Sequence, residues 1–259
     1  MPAGFLHRLL AHPLTATIDL DAPATTELRR RIIRSKPFLK AIYNEWYATL
    51  VSALPPVSGQ ILELGSGGGY CAEVIPGLIT SEILPCAGVR LALDARRLPF
   101  ADESLRAIVM TNVLHHVPDV SRFFAEAVRC LRPGGKILMI EPWVTRWSRF
   151  IYPRFHHEPF QPDAADWSFV STGPLSGSNM ALPWMVFVRD RRAFESQFPP
   201  LHIESIQPCL PFRYLLSGGV GMRTLMPGFA HSFWTCLERV LAPQMHRLGL
   251  FAFISLLRD

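Results

Sequence analysis

The chain is poor in charge and in reactive pairs of cysteines. Asp, Glu, Lys and Arg together make up 18% of its 259 residues, against 49% hydrophobic ones. Despite that balance it has no long apolar run, and its 23 prolines are scattered throughout. The longest apolar stretch near an end, "LFAFISLL" at 250–257, is far too short to span a bilayer, so at most peripheral membrane contact is expected. The opening "MPAGFLHRLLAHPL" has no apolar core followed by a small-residue cleavage site, so no signal peptide is expected. Five cysteines, odd in number and without a CxxC pair, disfavour a zinc-cysteine site or a disulfide framework and fit reduced thiols in the cytoplasm. The net charge of +5 is spread over short runs, "RRR" at 29–31, "ARR" at 95–97 and "RDRR" at 189–192, with no interleaved aromatics. Such runs read as solvated faces, and no nucleic-acid partner is expected.

What is present is a change of grammar near residue 60. Residues 25–53 carry apolar positions at helical spacing with a break near Pro37, and "LPPVSG" at 54–59 ends them. Short β-rich runs then follow: "ILEL" at 61–64, "VRLALDA" at 89–95, "LRAIVMTN" at 105–112 and "KILMIEP" at 136–142. Between the last two, Val120, Phe123, Phe124, Ala127, Val128 and Leu131 line one face of a helix. Ser121 or Asp119 can cap that helix, and Pro133-Gly134-Gly135 stops it. Apolar strands alternating with a helix imply a parallel sheet covered on both faces. A helix at 191–198, a strand at 201–207 and a last strand in "FAFISLL" complete the alternation.

Two insertions interrupt it, at about 143–187 and 211–248. The first shows little periodicity but holds Trp143, Trp147, Trp167 and Trp184, which argues for an ordered, functional segment over disorder. The second carries "RYLLSGGVG" at 213–221, either a glycine turn near a substrate or an ordinary helix end, and a helix around "SFWTCLERVL". The expected organisation is an N-terminal helical cap (1–58) followed by one α/β domain (59–259) bearing these two lid segments.

After the first strand comes "GSGGGY" (65–70), a loop nearly without side chains, which lets a ligand approach the backbone. A dinucleotide site asks for G-x-G-x-x-G, but Tyr70 stands where the third glycine belongs, which weakens a nicotinamide oxidoreductase reading. "ELGSGGG", then "DARRLPFADESLRAIVMTNVLHHVPD" (94–119), then "RCLRPGGKILMIEP" (129–142) together resemble the class I S-adenosylmethionine-dependent methyltransferases, in particular the small-molecule group often called type 11.

The resemblance implies a Rossmann-like, doubly wound, mostly parallel seven-stranded sheet and S-adenosyl-L-methionine as cofactor. It implies that Gly65, Ser66, Gly67 and Gly69 pass beneath the methionine half of the cofactor, with Glu63 near its amino group. Glu82, ending the second strand, would grip the ribose hydroxyls, since a carboxylate accepts from two vicinal hydroxyls at once. Asp94, with the Ala95 backbone, would accept from the adenine amino group, and Asn112 and Val113 would line the other side. The sequence departs from the family pattern in one region. Pro76-Gly77 cuts the first helix to about two turns, and only eleven residues separate Glu82 from Asp94, so one crossover is trimmed to a loop.

Candidate catalytic groups are His115 and His116, just past the fourth strand, and His156, His157 and Glu158 in "FHHEPF" of the first insertion. The former pair can act as a base or simply pack and cap. The latter can act as a base, anchor a polar substrate group, or make structural hydrogen bonds. No metal is expected, because adjacent side chains seldom converge on one ion. The motifs of nucleobase amino methylation, cytosine C5 methylation and metal-assisted catechol methylation are not recognisable. The expectation is O-methylation, or alternatively C-methylation, of a small apolar or aromatic acceptor, free or bound to a carrier protein. A non-catalytic binding module and an RNA methyltransferase are the rival readings.

Overall fold

The apolar runs form the middle of a seven-stranded sheet in the computed structural model, which describes residues 23–171, 173 and 177–259. The opening segment read for a signal peptide lies outside the described residues. The strands are β1 (Gln60–Leu64), β2 (Ile79–Glu82), β3 (Leu91–Ala92), β4 (Leu105–Thr111), β5 (Leu131–Pro142), β6 (Leu201–Cys209) and β7 (Phe251–Arg258), in spatial order β3-β2-β1-β4-β5-β7-β6. The pairings from β3 to β5 are parallel, and β7 runs antiparallel to both β5 and β6.

Period-two alternation divides the core between the two faces. Leu62, Ile108, Met110, Ile137, Met139 and Ile254 pack on one side with Phe123, Phe124 and Phe194. Ile61, Ala107, Val109, Leu138, Ile140 and Phe253 face the other, against Phe38, Ile42, Trp46 and Tyr47. Helix α1 (Pro23–Ser35) and helix α2 (Pro37–Ala53) meet at Lys36, because Pro37 opens the second helix at its first turn, where a missing N–H costs nothing. Helix α3 (Val120–Cys130) covers the opposite face, and the Asp119 side chain caps it by accepting from Arg122 N–H.

Both insertions are more regular than expected. The first contains α4 (Arg146–Phe155), opened by a capping box between Thr145 and Ser148, with Pro153 in its last turn. It continues to α5 (Leu182–Trp184), a π turn (Met185–Arg189) and α6 (Arg191–Gln197). The proline and the dense aromatics obscure the helical period there. The second holds α7 (Arg213–Ser217), α8 (His231–Val240) and α9 (Met245–Leu248). Of the expected strand at 89–95 only Leu91–Ala92 pairs, and the short first helix shrinks to one 3-10 turn, Cys71–Glu73. Among the described residues no helix is long and apolar enough to cross a membrane.

From β1 the chain winds outward through β2 and β3, then returns to place β4 on the other side of β1. That reversal opens a crevice at the carboxyl ends of β1 and β4, where open α/β sheets bind their ligands.

Candidate active site

A cavity of about 1000 Å³ occupies this crevice. Its floor is the loop after β1, where Gly65 takes a left-handed backbone conformation (φ +64°). The glycines serve the protein's own packing as well as the cavity. A Cβ on Gly65 would overlap Val113, one on Gly69 would overlap the Tyr47 hydroxyl, and one on Gly67 would stand 2.6 Å from Oε2 of Glu82. This corrects the expectation that the space left by the missing side chains is kept for a ligand. The loop lines the cavity, while its Cβ sides are filled from within.

Glu82, at the end of β2, is buried and accepts from Gly67 N–H (3.1 Å) and Ile83 N–H (2.9 Å). Burial raises its pKa, against the two backbone donors. Glu63 is buried on the same floor, and burial pushes its carboxyl up to about 7. Asp94 accepts from the Arg96 backbone N–H (2.8 Å) and from its guanidinium (2.6 Å), which holds its carboxyl below the usual range. Asn112 ends β4 with a positive φ of 58°, its N–H bonded to Ile140 C=O at 2.8 Å. A non-glycine residue in that region is strained by roughly 1–3 kcal/mol and persists where its surroundings over-determine it.

The polar end of the cavity brings together residues from separate stretches. His115 and His116 follow β4 on a 3-10 turn, and the segment after α4 brings Glu158 between them. Nδ1 of His115 lies 2.6 Å from Oε2 of Glu141, and its Nε2 lies 3.3 Å from Oε2 of Glu158. Burial works against charge on that ring, but the two carboxylates outweigh it and push His115 up to about 9. Burial also favours the neutral acid at Glu158, and the surrounding histidines, His115 first, hold it well below the ordinary range instead. Burial, with the His115 charge beside it, depresses His116 to about 4, and burial depresses His156 likewise to about 4. Aromatic lining comes from Tyr152, Phe155, Phe169, Tyr214 and Phe251.

Residues 62–139 match the model of a family described as methyltransferase domain. Over 104 residues the chain is 32% identical to the ubiquinone/menaquinone biosynthesis C-methyltransferase UbiE of Desulfotalea psychrophila, covering 33% of this chain and 42% of that protein. It is 37% identical over 97 residues to phthiotriol/phenolphthiotriol dimycocerosates methyltransferase 1 of Mycobacterium ulcerans, covering 30% of this chain and 36% of that one. The chain thus matches less than half the length of these relatives. Over this stretch the chain is similar to the class I S-adenosylmethionine-dependent methyltransferases.

Solved methyltransferases share its fold. A geranyl diphosphate C-methyltransferase from Streptomyces coelicolor A3(2), in complex with Mg²⁺, geranyl diphosphate and S-adenosyl-L-homocysteine, superposes with a TM-score of 0.51 at 14% identity, covering 96% of this chain and 92% of that one. A possible histamine N-methyltransferase from Thermotoga maritima gives 0.51 at 17% identity, over 90% and 99%.

Every residue expected from the sequence to hold the cofactor borders the same cavity: Glu63, Gly65, Ser66, Gly67, Gly69, Glu82, Asp94, Ala95, Asn112 and Val113. So do His115, His116, His156, His157 and Glu158. His157, however, is half exposed and stacks on His156 at the rim. The four tryptophans of the first insertion do not line the cavity. Trp143 is buried in the core, while the indole N–H groups of Trp147 and Trp167 donate to Pro211 C=O and to Asp190. Gly218 ends α7 at φ +71° and also lines the cavity, so the "RYLLSGGVG" turn is both a helix end and part of the site.

Sequence reasoning missed Glu141. Fully buried at the end of β5, it accepts from Val113 and Leu114 N–H (2.8 Å each) and contacts His115, so one carboxylate shapes the whole turn after β4. The available signal was an acidic residue closing an otherwise apolar strand. Tyr47 was also missed; its hydroxyl accepts from Tyr70 N–H at 3.1 Å and packs the glycine loop against α2.

Proposed function

We propose that this chain transfers the methyl group of S-adenosyl-L-methionine to an oxygen of a small hydrophobic acceptor. One observation carries the reading: a single cavity is bordered by every residue expected to hold the cofactor, by the His115–His116–Glu158 cluster and by aromatic side chains. At about 1000 Å³ it stands at the upper end of the roughly 300–1,000 Å³ typical of pockets for one drug-sized ligand, which suits a cofactor and an acceptor together.

Bound there, the cofactor supplies an electrophilic methyl on a sulfonium. Glu63 offers a carboxylate to its amino group, Glu82 offers acceptors to the ribose hydroxyls, and Asp94 with Ala95 faces the adenine. Glu141 holds the Asn112–His116 turn in place beside them. The aromatic wall excludes water and orients an apolar acceptor, and the polar cluster receives its oxygen. Orientation of this kind, with reacting atoms about 3–3.5 Å apart, can account for roughly 7–11 kcal/mol of the barrier. C-methylation is the second reading, favoured by the C-methyltransferase among the sequence relatives.

Calorimetry should show one S-adenosylmethionine bound per chain. Incubation with a panel of phenols, enols and long-chain alcohols, followed by mass spectrometry, should show S-adenosylhomocysteine forming with a methylated product. A chain that does not bind the cofactor overturns the proposal, and one that binds it without turnover of any acceptor favours a binding module.

A further inference from the structure

The polar cluster has the geometry of a metal site. His115, His116 and Glu158 each present one ligand-capable atom, and these atoms all lie within 4.8 Å of one another. Nε2 of His115 is 3.3 Å from one Glu158 oxygen, and Nε2 of His116 is 3.6 Å from the other. Ligand atoms on a tetrahedral ion with bonds of about 2.0–2.2 Å stand about 3.3–3.6 Å apart, so little movement is needed to close around one.

The far side of each ring is arranged as a ligand histidine requires. Nδ1 of His115 lies 2.6 Å from Glu141 Oε2, and Nδ1 of His116 lies 3.0 Å from Gly177 C=O. A carboxylate and a carbonyl accept hydrogen bonds, so Nδ1 carries a hydrogen in both rings and both Nε2 atoms face Glu158, the second proton on His115 being the one that an incoming ion would displace. Glu141 is itself immobilised by the two backbone N–H groups of the turn. Glu158 is steadied from behind, its N–H donating to Nδ1 of His156 at 3.2 Å. Adjacent histidines cannot wrap one ion from a single strand, but here the 3-10 turn aims both Nε2 atoms at a carboxylate from another segment.

We infer that His115, His116 and Glu158 bind a divalent first-row transition ion, with an open coordination position toward the cavity. Two imidazoles and one carboxylate form a donor set for zinc or ferrous iron, and imidazole selects against Mg²⁺ and Ca²⁺, which prefer all-oxygen shells. All three residues border the cavity, so an acceptor oxygen can reach the open position. A hydroxyl bound there would release its proton to solvent, and the resulting oxyanion would attack the methyl while sulfur departs with the electron pair as a neutral thioether. That role rests on the proposed methyl transfer; the ion binding rests only on the side chains.

The test uses the full chain stripped with a chelator and titrated with Zn²⁺ alone, followed by calorimetry and elemental analysis. One equivalent should bind. Glu158→Gln and His116→Ala should each weaken binding by more than about 100-fold, beyond the roughly 10–100-fold usual for an outer-shell change. Glu141→Gln should weaken it by about 10–100-fold. The amide can still accept from the turn, but its NH₂ would face His115 Nδ1 and force the hydrogen onto Nε2. A Co²⁺ derivative should show visible d–d absorption that each variant loses, and circular dichroism establishes which variants fold. Should Glu158→Gln not fold, His116→Ala carries the test. Absence of stoichiometric zinc, or binding unchanged in the variants and therefore located at exposed histidines such as His157 and His202, overturns the inference. Cofactor affinity measured on the same metal-free protein separates the two readings. A chain that binds the cofactor but takes up no zinc sinks only the metal site, and one that takes up zinc but does not bind the cofactor upholds the metal site while sinking the methyltransferase reading.

Discussion

Glu63 should hold the fold and the cofactor in opposition. The residue is 5% exposed, and burial raises its pKa from 4.5 to about 7. Each tenfold change in proton affinity is worth about 1.4 kcal/mol. The ionised form is therefore about 3 kcal/mol less favourable in the folded chain than in the unfolded one. The sign follows from proton counts: between pH 4.5 and about 7 the native state binds more protons, so stability falls as pH rises through that window. Below it the cost is absent, and above it the cost is fully present.

Glu63→Gln imitates the protonated side chain at every pH. Urea denaturation should find the variant close to the wild type near pH 4 and more stable by up to about 3 kcal/mol near pH 8, with unchanged denaturant slopes. The same variant should bind S-adenosylmethionine more weakly, by about 1.5–3 kcal/mol, because a charge-assisted contact to the ammonium is lost. Wild-type binding should release a proton near pH 6, visible as a dependence of calorimetric heat on buffer ionisation enthalpy. Parallel stability curves for the two proteins across this range would refute the reasoning.

Gly67→Val would put a Cβ 2.6 Å from Oε2 of Glu82 and pry that carboxylate from the Gly67 N–H, so cofactor binding should vanish in calorimetry while circular dichroism stays native. Asp94→Ala should weaken cofactor binding by about 1.5–3 kcal/mol. Since the Asp94–Arg96 pair is more than one-third exposed, the same change should alter thermal stability by less than about 1 kcal/mol, as a differential scan can check. Arg213 bonds Glu238 at 2.6 Å and Glu45 at 2.7 Å, with Glu238 buried. Arg213→Ala leaves that carboxylate buried between α2, α7 and α8 without its counter-charge, holding only the backbone N–H groups of Phe212 and residue 213, and should cost about 3–5 kcal/mol in urea denaturation.

Much of this protein was legible in one dimension because the relevant signals are short-ranged. The apolar runs at β1, β4 and β5 alternate their side chains between two faces whatever the rest of the chain does. Pro37 starts a helix, Asp119 caps one, and the glycine loop after β1 declares a backbone that neighbours can approach. The family's acidic positions could be carried over onto Glu63, Glu82 and Asp94 by their place at or just past strand ends, and those residues do border one cavity. Where local signals conflict, the reading failed: Pro153 and a run of aromatics hid α4, although the tryptophans there did mark an ordered segment, with the indole N–H groups of Trp147 and Trp167 bonded away from the cavity.

Tertiary structure alone decided which chemistry-bearing groups meet. Nothing in the spacing of "LHH" and "FHHEPF" says that Glu158 will sit between His115 and His116, or that Glu141 will reach back to fix the turn. Those contacts depend on how the first insertion folds back from the end of β5 over the crevice between β1 and β4. That geometry is set by long-range packing and leaves no period in the sequence.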